Sequence, residues 1–239
     1  MSITRDQAIA VARASGWLSH QPPDFQQELL SRTVLRTYGR NEVICSVGDP
    51  FAGIHVLVRG LLKVEMLAPV EDYRIVTVKQ SVFWFGQGAS MVRGPHLATT
   101  TATTPAATLF LPHAEFEKLI ENAAWCRAFA AMSVEHFEEA SQVIGQLLVS
   151  DVENKVAARL ALLAERSGPK RPAAVAVSQA DLAEMCGLSR PTVHQILARL
   201  EARGLLRCGY RRIEIDNPEL LTHSPELGQV TSRSDDGGD

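Results

Sequence analysis

No apolar run in this 239-residue chain approaches the roughly eighteen residues that cross a membrane. The amino-terminal MSITRDQAIAVARASGW is no signal peptide either. Arg5, Asp6, Gln7 and Arg13 interrupt it and leave an amphipathic helix pattern. Cytoplasmic residence without a membrane partner is the expectation. Cysteine is scarce: Cys45, Cys126, Cys186 and Cys208 stand far apart and form no metal-ligand spacing. Cys186 falls on the apolar face of a helix and reads as a buried structural thiol. Enzymatic signatures are missing too, with no Gly-rich phosphate loop, nucleophile elbow or HExxH pattern. His113 and Glu115 are explained by a helix start, so no catalytic residue is assigned. Net charge is −3, and any positive surface must therefore be local.

Such a surface lies near the carboxyl end. Residues 177–206, VSQADLAEMCGLSRPTVHQILARLEARGLL, read as a pair of short helices meeting at a glycine turn. Ser178 precedes the apolar positions Leu182, Met185 and Cys186, and Asp181 three residues on completes a variant capping box. Gly187 ends this helix where a left-handed residue is required, and Leu188 plugs the turn. Ser189 caps the next helix, whose first turn tolerates Pro191 because its amides have no intrahelical acceptor. Val193, Ile196, Leu197 and Leu200 then recur at helical spacing and leave Arg190, Thr192, His194, Gln195 and Arg199 outward. Between 190 and 212 the chain sets Arg190, Arg199, Arg203, Arg207, Arg211 and Arg212 against Glu201 alone. Concentrated positive charge is the footprint of phosphate binding. An ordinary helical hairpin inside a larger core is the alternative; the turn chemistry and charge favour a helix laid in a DNA groove. The following LLRCGYRRIEID alternates like a small hairpin with a turn near Gly209–Tyr210. That makes a winged helix-turn-helix, with Arg211 and Arg212 on the wing facing phosphates.

Upstream the texture differs. Residues 5–31 suggest helices broken by Gly16 and Pro22–Pro23. From 33 to 111, short strand-like segments (VLRTY, EVICSV, IHVLVRG, LLKVEML, YRIVTVK, ATTTAT, ATLFLP) alternate with glycine turns, as in a compact β-roll. Leu62, Val64 and Met66 are expected inward and Lys63 and Glu65 outward. A long helix is expected over 123–149, with Phe129, Met132, His136, Ala140, Val143 and Leu147 at steps of three and four. This seam suits a second copy of the chain, with the chain's own roll as the competing partner. Asp151 is expected to cap a further helix from Val152 to Ala164, residues 168–176 to form a loop, and the polar, acidic tail to be disordered. The division expected is 1–122, 123–149, 150–222 and a tail at 223–239.

In its order of roll, long helix and terminal winged helix-turn-helix, the chain resembles the Crp/Fnr family of bacterial transcription regulators. The likeness spans about residues 10–220 and is most specific in GLSRPTVHQILARLEARGLL. It implies an α+β protein: an amino-terminal cyclic-nucleotide-binding-like β-roll, a dimerisation helix and a DNA-binding domain. It also implies a homodimer gripping a palindromic operator on double-stranded DNA, with RNA polymerase as partner if it activates. The residues assigned to DNA are Ser178, Ser189, Arg190, Pro191, Thr192, His194, Gln195, Arg199, Arg211 and Arg212. Arg190 matches a family arginine that contacts phosphate or guanine. Pro191 stands where members often carry a base-reading glutamate, and Gln195 where they often carry arginine, so the operator is expected to differ. Gln195 suits adenine.

The effector pocket departs further. Cyclic-nucleotide binders hold ribose and phosphate with a Gly-Glu pair and, about ten residues on, an arginine followed by a hydroxyl. Here Gly86 remains, Gln87 replaces the glutamate, and His96–Leu97 take the later positions, with Arg93 out of register. A buried phosphate needs a fixed cation and His96 is mostly neutral near pH 7, so cyclic AMP is not the expected ligand. The candidate pocket is Phe85, Gly86, Gln87, Gly88, Arg93 and His96. An iron–sulphur cluster would need four clustered cysteines, and haem would need axial ligands more distinctive than His55, His96 or His113. The competing function is a ligand-responsive subunit that docks on another protein.

Overall fold

In a computed structural model the chain is described over residues 3–68, 72–80, 82–167 and 171–222. The tail expected at 223–239 lies outside the described residues. Thr4 caps α1 (Arg5–Ala14) in a reciprocal capping box with Gln7. A tight 3-10 turn at Trp17–His20 leads into α2 (Pro23–Ser31). The breaks at Gly16 and Pro22 thus fall where the sequence puts them.

The roll contains β1 (Val34–Tyr38), β2 (Val43–Cys45), β3 (Gly53–Arg59), β4 (Leu62–Leu67), β5 (Tyr73–Lys79), β6 (Phe83–Phe85), α3 (Gln87–Val92), β7 (Thr99–Ala102) and β8 (Ala106–Pro112). One antiparallel sheet runs β1-β8-β3-β6 and the other β2-β7-β4-β5. Between them lie Leu57, Leu62, Phe85, Ala102 and Ala106. The outer face of the first sheet carries Ile54, Val56, Trp84, Leu109 and Leu111 into a cluster with the amino-terminal helices. Trp17 packs edge-on against Phe25 and Trp84 there. Burial on both faces explains why β3 and β8 are nearly continuous apolar runs rather than alternating ones.

Two strand expectations change. Met66 is exposed, because a register shift between Val64 and Glu65 ends the alternation that begins at the buried Leu62. Residues 168–176 are not wholly loop, since β9 (Ala173–Val175) pairs with a later strand. Alanines carry little strand signal of their own, so only the distant partner makes this segment extended.

After the roll come α4 (His113–Ile120), α5 (Ala123–Leu147), capped by Asn122, and α6 (Val152–Arg166), capped by Asp151. The carboxyl unit adds α7 (Gln179–Cys186), α8 (Arg190–Ala202), β10 (Arg207–Gly209), β11 (Arg212–Ile215) and α9 (Glu219–Thr222), with a third sheet ordered β10-β11-β9.

Strand β5 is an edge of its sheet, yet its outer backbone groups are met by side chains of the carboxyl unit. The Ile75 N–H donates to Glu184 of α7 at 2.8 Å, and Arg159 of α6 donates to the Val76 carbonyl. Ile75 itself belongs to the apolar core of that unit. Just past the strand, Gln80 donates to the Ala174 carbonyl at 2.6 Å and accepts from the Ala176 N–H at 2.8 Å. The half-buried Lys79–Glu139 ion pair ties the same strand to α5.

Gly86, between β6 and α3, is left-handed at φ +93°, and a Cβ there would sit 2.6 Å from the Gly53 carbonyl oxygen. Gly86→Ala is expected to lower unfolding free energy by about 1–3 kcal/mol, measured by urea denaturation. An unchanged midpoint would show that the turn relaxes freely.

Candidate nucleic-acid interface

Helix α7 begins at Ser178, which accepts from the Asp181 N–H at 3.0 Å, and ends at Gly187 with φ +64°. Ser189 caps α8 through the Thr192 N–H at 3.2 Å, and its hydroxyl meets that of Thr192 at 2.7 Å. Val193, Ile196, Leu197 and Leu200 are buried against α6 and α7. This packing turns Arg190, Pro191, His194 and Gln195 to solvent on one face. His194 approaches Gln179 at 3.3 Å, linking the two helices. Arg190 and Gln195 have no ionic or hydrogen-bonded partner among the described residues. Ser178 and Ser189 therefore act on α7 and α8 as caps, and Thr192 is held by Ser189.

The remaining arginines are less free than the sequence suggests, because the fold brings acids from elsewhere. Glu153 of α6 binds Arg199 at 2.8 Å and Arg203 at 2.7 Å. On the wing Arg212 pairs with Glu214 at 2.8 Å, and Arg207 reaches Asp216 at 3.3 Å. Arg211, at φ +51° in the hairpin turn, lies 3.9 Å from Asp181. These exposed pairs are individually weak and screened by salt, so phosphates can compete for the wing arginines. Arg199 stands in such a pair too, with Glu153, which also binds Arg203. No signal in residues 190–212 marks that acid, which stands three elements upstream of α8.

The long helix also divides differently from its expected seam. Phe129 and Met132 are fully buried in the amino-terminal cluster, and Val143 is buried within the chain. His136 turns to the roll, where its Nδ1 lies 2.6 Å from the Gln87 amide nitrogen. Ala140 and Leu147 remain exposed. The open apolar face is instead Val134, Phe137, Ile144 and Leu148, with Phe137 at 71% and Leu148 at 78% exposure. With the small Ser141 between them these residues step by three and four, the period of a coiled-coil seam. The sequence offers both stripes, and the roll occupies one of them.

The candidate effector residues do not converge. Phe85 stacks on His55 at 5.0 Å in the roll's interior, where burial depresses His55 to about 3. Gln87 is buried against His136, while Gly88 borders open space. Arg93 points outward to Glu117 at 2.8 Å. His96 is buried, its backbone bonded to Gly48 and Asp49, and burial lowers its pKa; Leu97 is exposed. The residues that would meet a cyclic phosphate are thus a glutamine, a neutral histidine and a solvent-facing leucine, which do not fit that anion. None of the six candidates lines the cleft of about 500 Å³ that opens between the roll, α5 and α6. His113 pairs with Glu117 at 3.1 Å. Among the described residues no group of three or more His, Cys, Asp or Glu could hold a metal ion, and no helix is long and apolar enough to cross a membrane.

Comparison with known proteins agrees with this architecture. The profile of the Crp-like helix-turn-helix domain matches residues 154–224, and that of the cyclic nucleotide-binding domain matches residues 35–123. A CRP-like cAMP-activated global transcriptional regulator of Mycobacterium tuberculosis is 22% identical over 189 residues, covering 77% of this chain and 84% of that protein. Among solved structures, FixK2 from Bradyrhizobium japonicum superposes with a TM-score of 0.69 at 21% identity, covering 79% of this chain and 95% of its own. A CRP-family transcriptional regulator from Thermus thermophilus gives 0.61 at 22% identity, with 78% and 94% covered.

The His136–Gln87 contact has a pH consequence. Burial, reinforced by Lys79, depresses His136 from 6.5 to about 4. Between those values the unfolded chain binds a proton that the native state refuses, so acid favours unfolding. Stability should be level above pH 6.5 and fall as pH drops towards 4, with His55 adding in the same direction. Thermal melts across this window should show a shallower slope for His136→Gln than for wild type; identical slopes would count against the assignment.

Proposed function

The chain belongs to the Crp/Fnr family of transcription regulators, and from that premise we propose that it acts as a homodimer reading a palindromic operator under control of a signal. The observation that carries this reading is the exposed face of α8, where Arg190, His194 and Gln195 stand clear of the body with the Arg190 guanidinium uncommitted. Dimerisation through Val134, Phe137, Ser141, Ile144 and Leu148 would set two such helices about 34 Å apart, one turn of the duplex. A large apolar stripe of coiled-coil period supports that seam over Phe129 and Met132, which the chain buries itself.

Arg190 would read guanine or grip phosphate, and Gln195 suits adenine through its amide. Pro191 has no hydrogen-bonding side chain and contributes fixed backbone at the helix start. Arg211 and Arg212 would exchange their acid partners for phosphates, which orient the protein without reading sequence. The roll is not read as a cyclic-nucleotide receptor, because Gln87, His96 and Leu97 offer no fixed cation.

Arg190→Ala should lose roughly 1–3 kcal/mol of discrimination between operator and random DNA, measured by competition binding. Equal affinity ratios for mutant and wild type would remove Arg190 from base reading. Phe137→Glu should yield monomers by light scattering and lower operator affinity by about 10²-fold or more, as the second half-site is lost. A Phe137→Glu dimer would place the seam elsewhere. Wild-type affinity should fall steeply with salt as counterions are released, whereas a subunit docking on a protein through an apolar groove would show little dependence.

A further inference from the structure

We propose that Gln179 is a positioning residue for His194. It holds the imidazole with its proton on Nδ1, so that Nε2 meets the major groove as an acceptor and selects cytosine or adenine. This rests on the reading of α8 as the DNA-facing helix, and it brings a residue outside α8 into base selection.

The other outward side chains at the start of α8 have a hydrogen-bonding character fixed by residue type. Arg190 offers donors only, Pro191 offers nothing, and the Gln195 amide offers both a donor and an acceptor. The Thr192 hydroxyl is engaged by that of Ser189 at 2.7 Å. A neutral imidazole is different, because one ring nitrogen donates, the other accepts, and a partner decides which.

His194 has such a partner. Its Nδ1 lies 3.3 Å from Oε1 of Gln179, the first residue of α7 and fifteen positions earlier in the chain. A carboxamide oxygen only accepts, so the proton of that bond belongs to Nδ1. Nε2 keeps its lone pair and has no hydrogen-bonded partner among the described residues. The bond is exposed, whereas α7 and α8 are joined by the buried Leu182, Met185, Val193 and Ile196. The contact therefore matters less for holding the helices together than for what His194 presents to a base.

His194 follows Arg190 by one helical turn, so the two share a ridge. With Arg190 donating and His194 accepting, neighbouring positions on that ridge demand opposite base edges. In the major groove guanine offers N7 and O6 as acceptors and thymine offers O4, whereas cytosine N4 and adenine N6 carry hydrogens. Guanine or thymine beside Nε2 would set acceptor against acceptor, and an unpaired group in a desolvated interface costs more than a bond merely absent.

The test has two arms, both on the full chain at pH 8.5. Long-range proton–nitrogen NMR of the free protein, with the His194 signals assigned by their absence in His194→Gln, should show Nδ1 protonated and Nε2 bare. Gln179→Met, which keeps the length of the side chain without an acceptor, should release the proton to Nε2. Gln179→Glu, which keeps an acceptor oxygen at the same reach, should hold it on Nδ1. The second arm selects binders from a duplex library with randomised half-sites. Wild type should enrich cytosine or adenine over guanine and thymine by about fivefold or more at one position. His194→Gln and Gln179→Met should lose that preference. Gln179→Glu should keep it, with weaker overall affinity from an added negative charge near phosphates. Melting temperatures near wild type certify the variants as folded. A bare Nδ1 in wild type, the same tautomer in wild type and Gln179→Met, or a preference unmoved by His194→Gln or by Gln179→Met each overturns the proposal. The arms also separate it from the reading beneath it. An enriched operator whose composition ignores His194 and Gln179 sinks the proposal alone, whereas a library from which wild type enriches nothing sinks the DNA function and base selection with it.

Discussion

The outer edge of β5 governs how the two halves of this protein meet. An edge strand presents unpaired amides and carbonyls that must be satisfied or left to other chains. Here Glu184 answers the Ile75 amide, Arg159 answers the Val76 carbonyl, and Gln80 reaches across to both sides of β9. Because Glu184 sits on α7, the helix that braces α8, the roll's edge fixes the angle at which α8 is presented. The Arg159 side chain is buried, so its carbonyl partner is obligatory rather than decorative. The roll and the carboxyl unit thus share one set of hydrogen bonds.

Charge is arranged in two tiers around α8. At its start Arg190 is uncommitted, while Arg199 and the wing arginines are tied to Glu153, Glu214, Asp216 or Asp181. Surface pairs of this kind contribute little to stability but keep long side chains in place and lower non-specific attraction to any polyanion. The chain's overall charge of −3 works in the same direction.

Helix α5 serves two masters with two stripes. Phe129, Met132 and His136 face the roll and amino-terminal helices, whereas Val134, Phe137, Ile144 and Leu148 face outward. Both stripes lie along one continuous helix, so the roll and the open face are joined through the same element. His136, Lys79 and Glu139 sit at the contact between roll and helix, which makes that contact the most polar part of an otherwise apolar interface.

Much of this was legible in the residues themselves. Local chemistry fixes local structure: Ser178, Gly187 and Ser189 placed the α7–α8 turn, Asp151 the start of α6, and Gly16 with Pro22 the breaks near the amino terminus. The helix-turn-helix was therefore readable as chemistry, because its caps and core positions lie within one short stretch. What depended on distant partners was not. Pairing with β11 made β9 a strand, and a register shift along β4 exposed Met66. Packing decided which stripe of α5 is buried, and Glu153 could claim Arg199 only once α6 lay beside α8. Periodicity and capping act over one or two turns, so the sequence alone determined the elements and their order. Burial, charge pairing and the location of the cleft arise from contacts between segments far apart in the chain, and only the tertiary structure decided those.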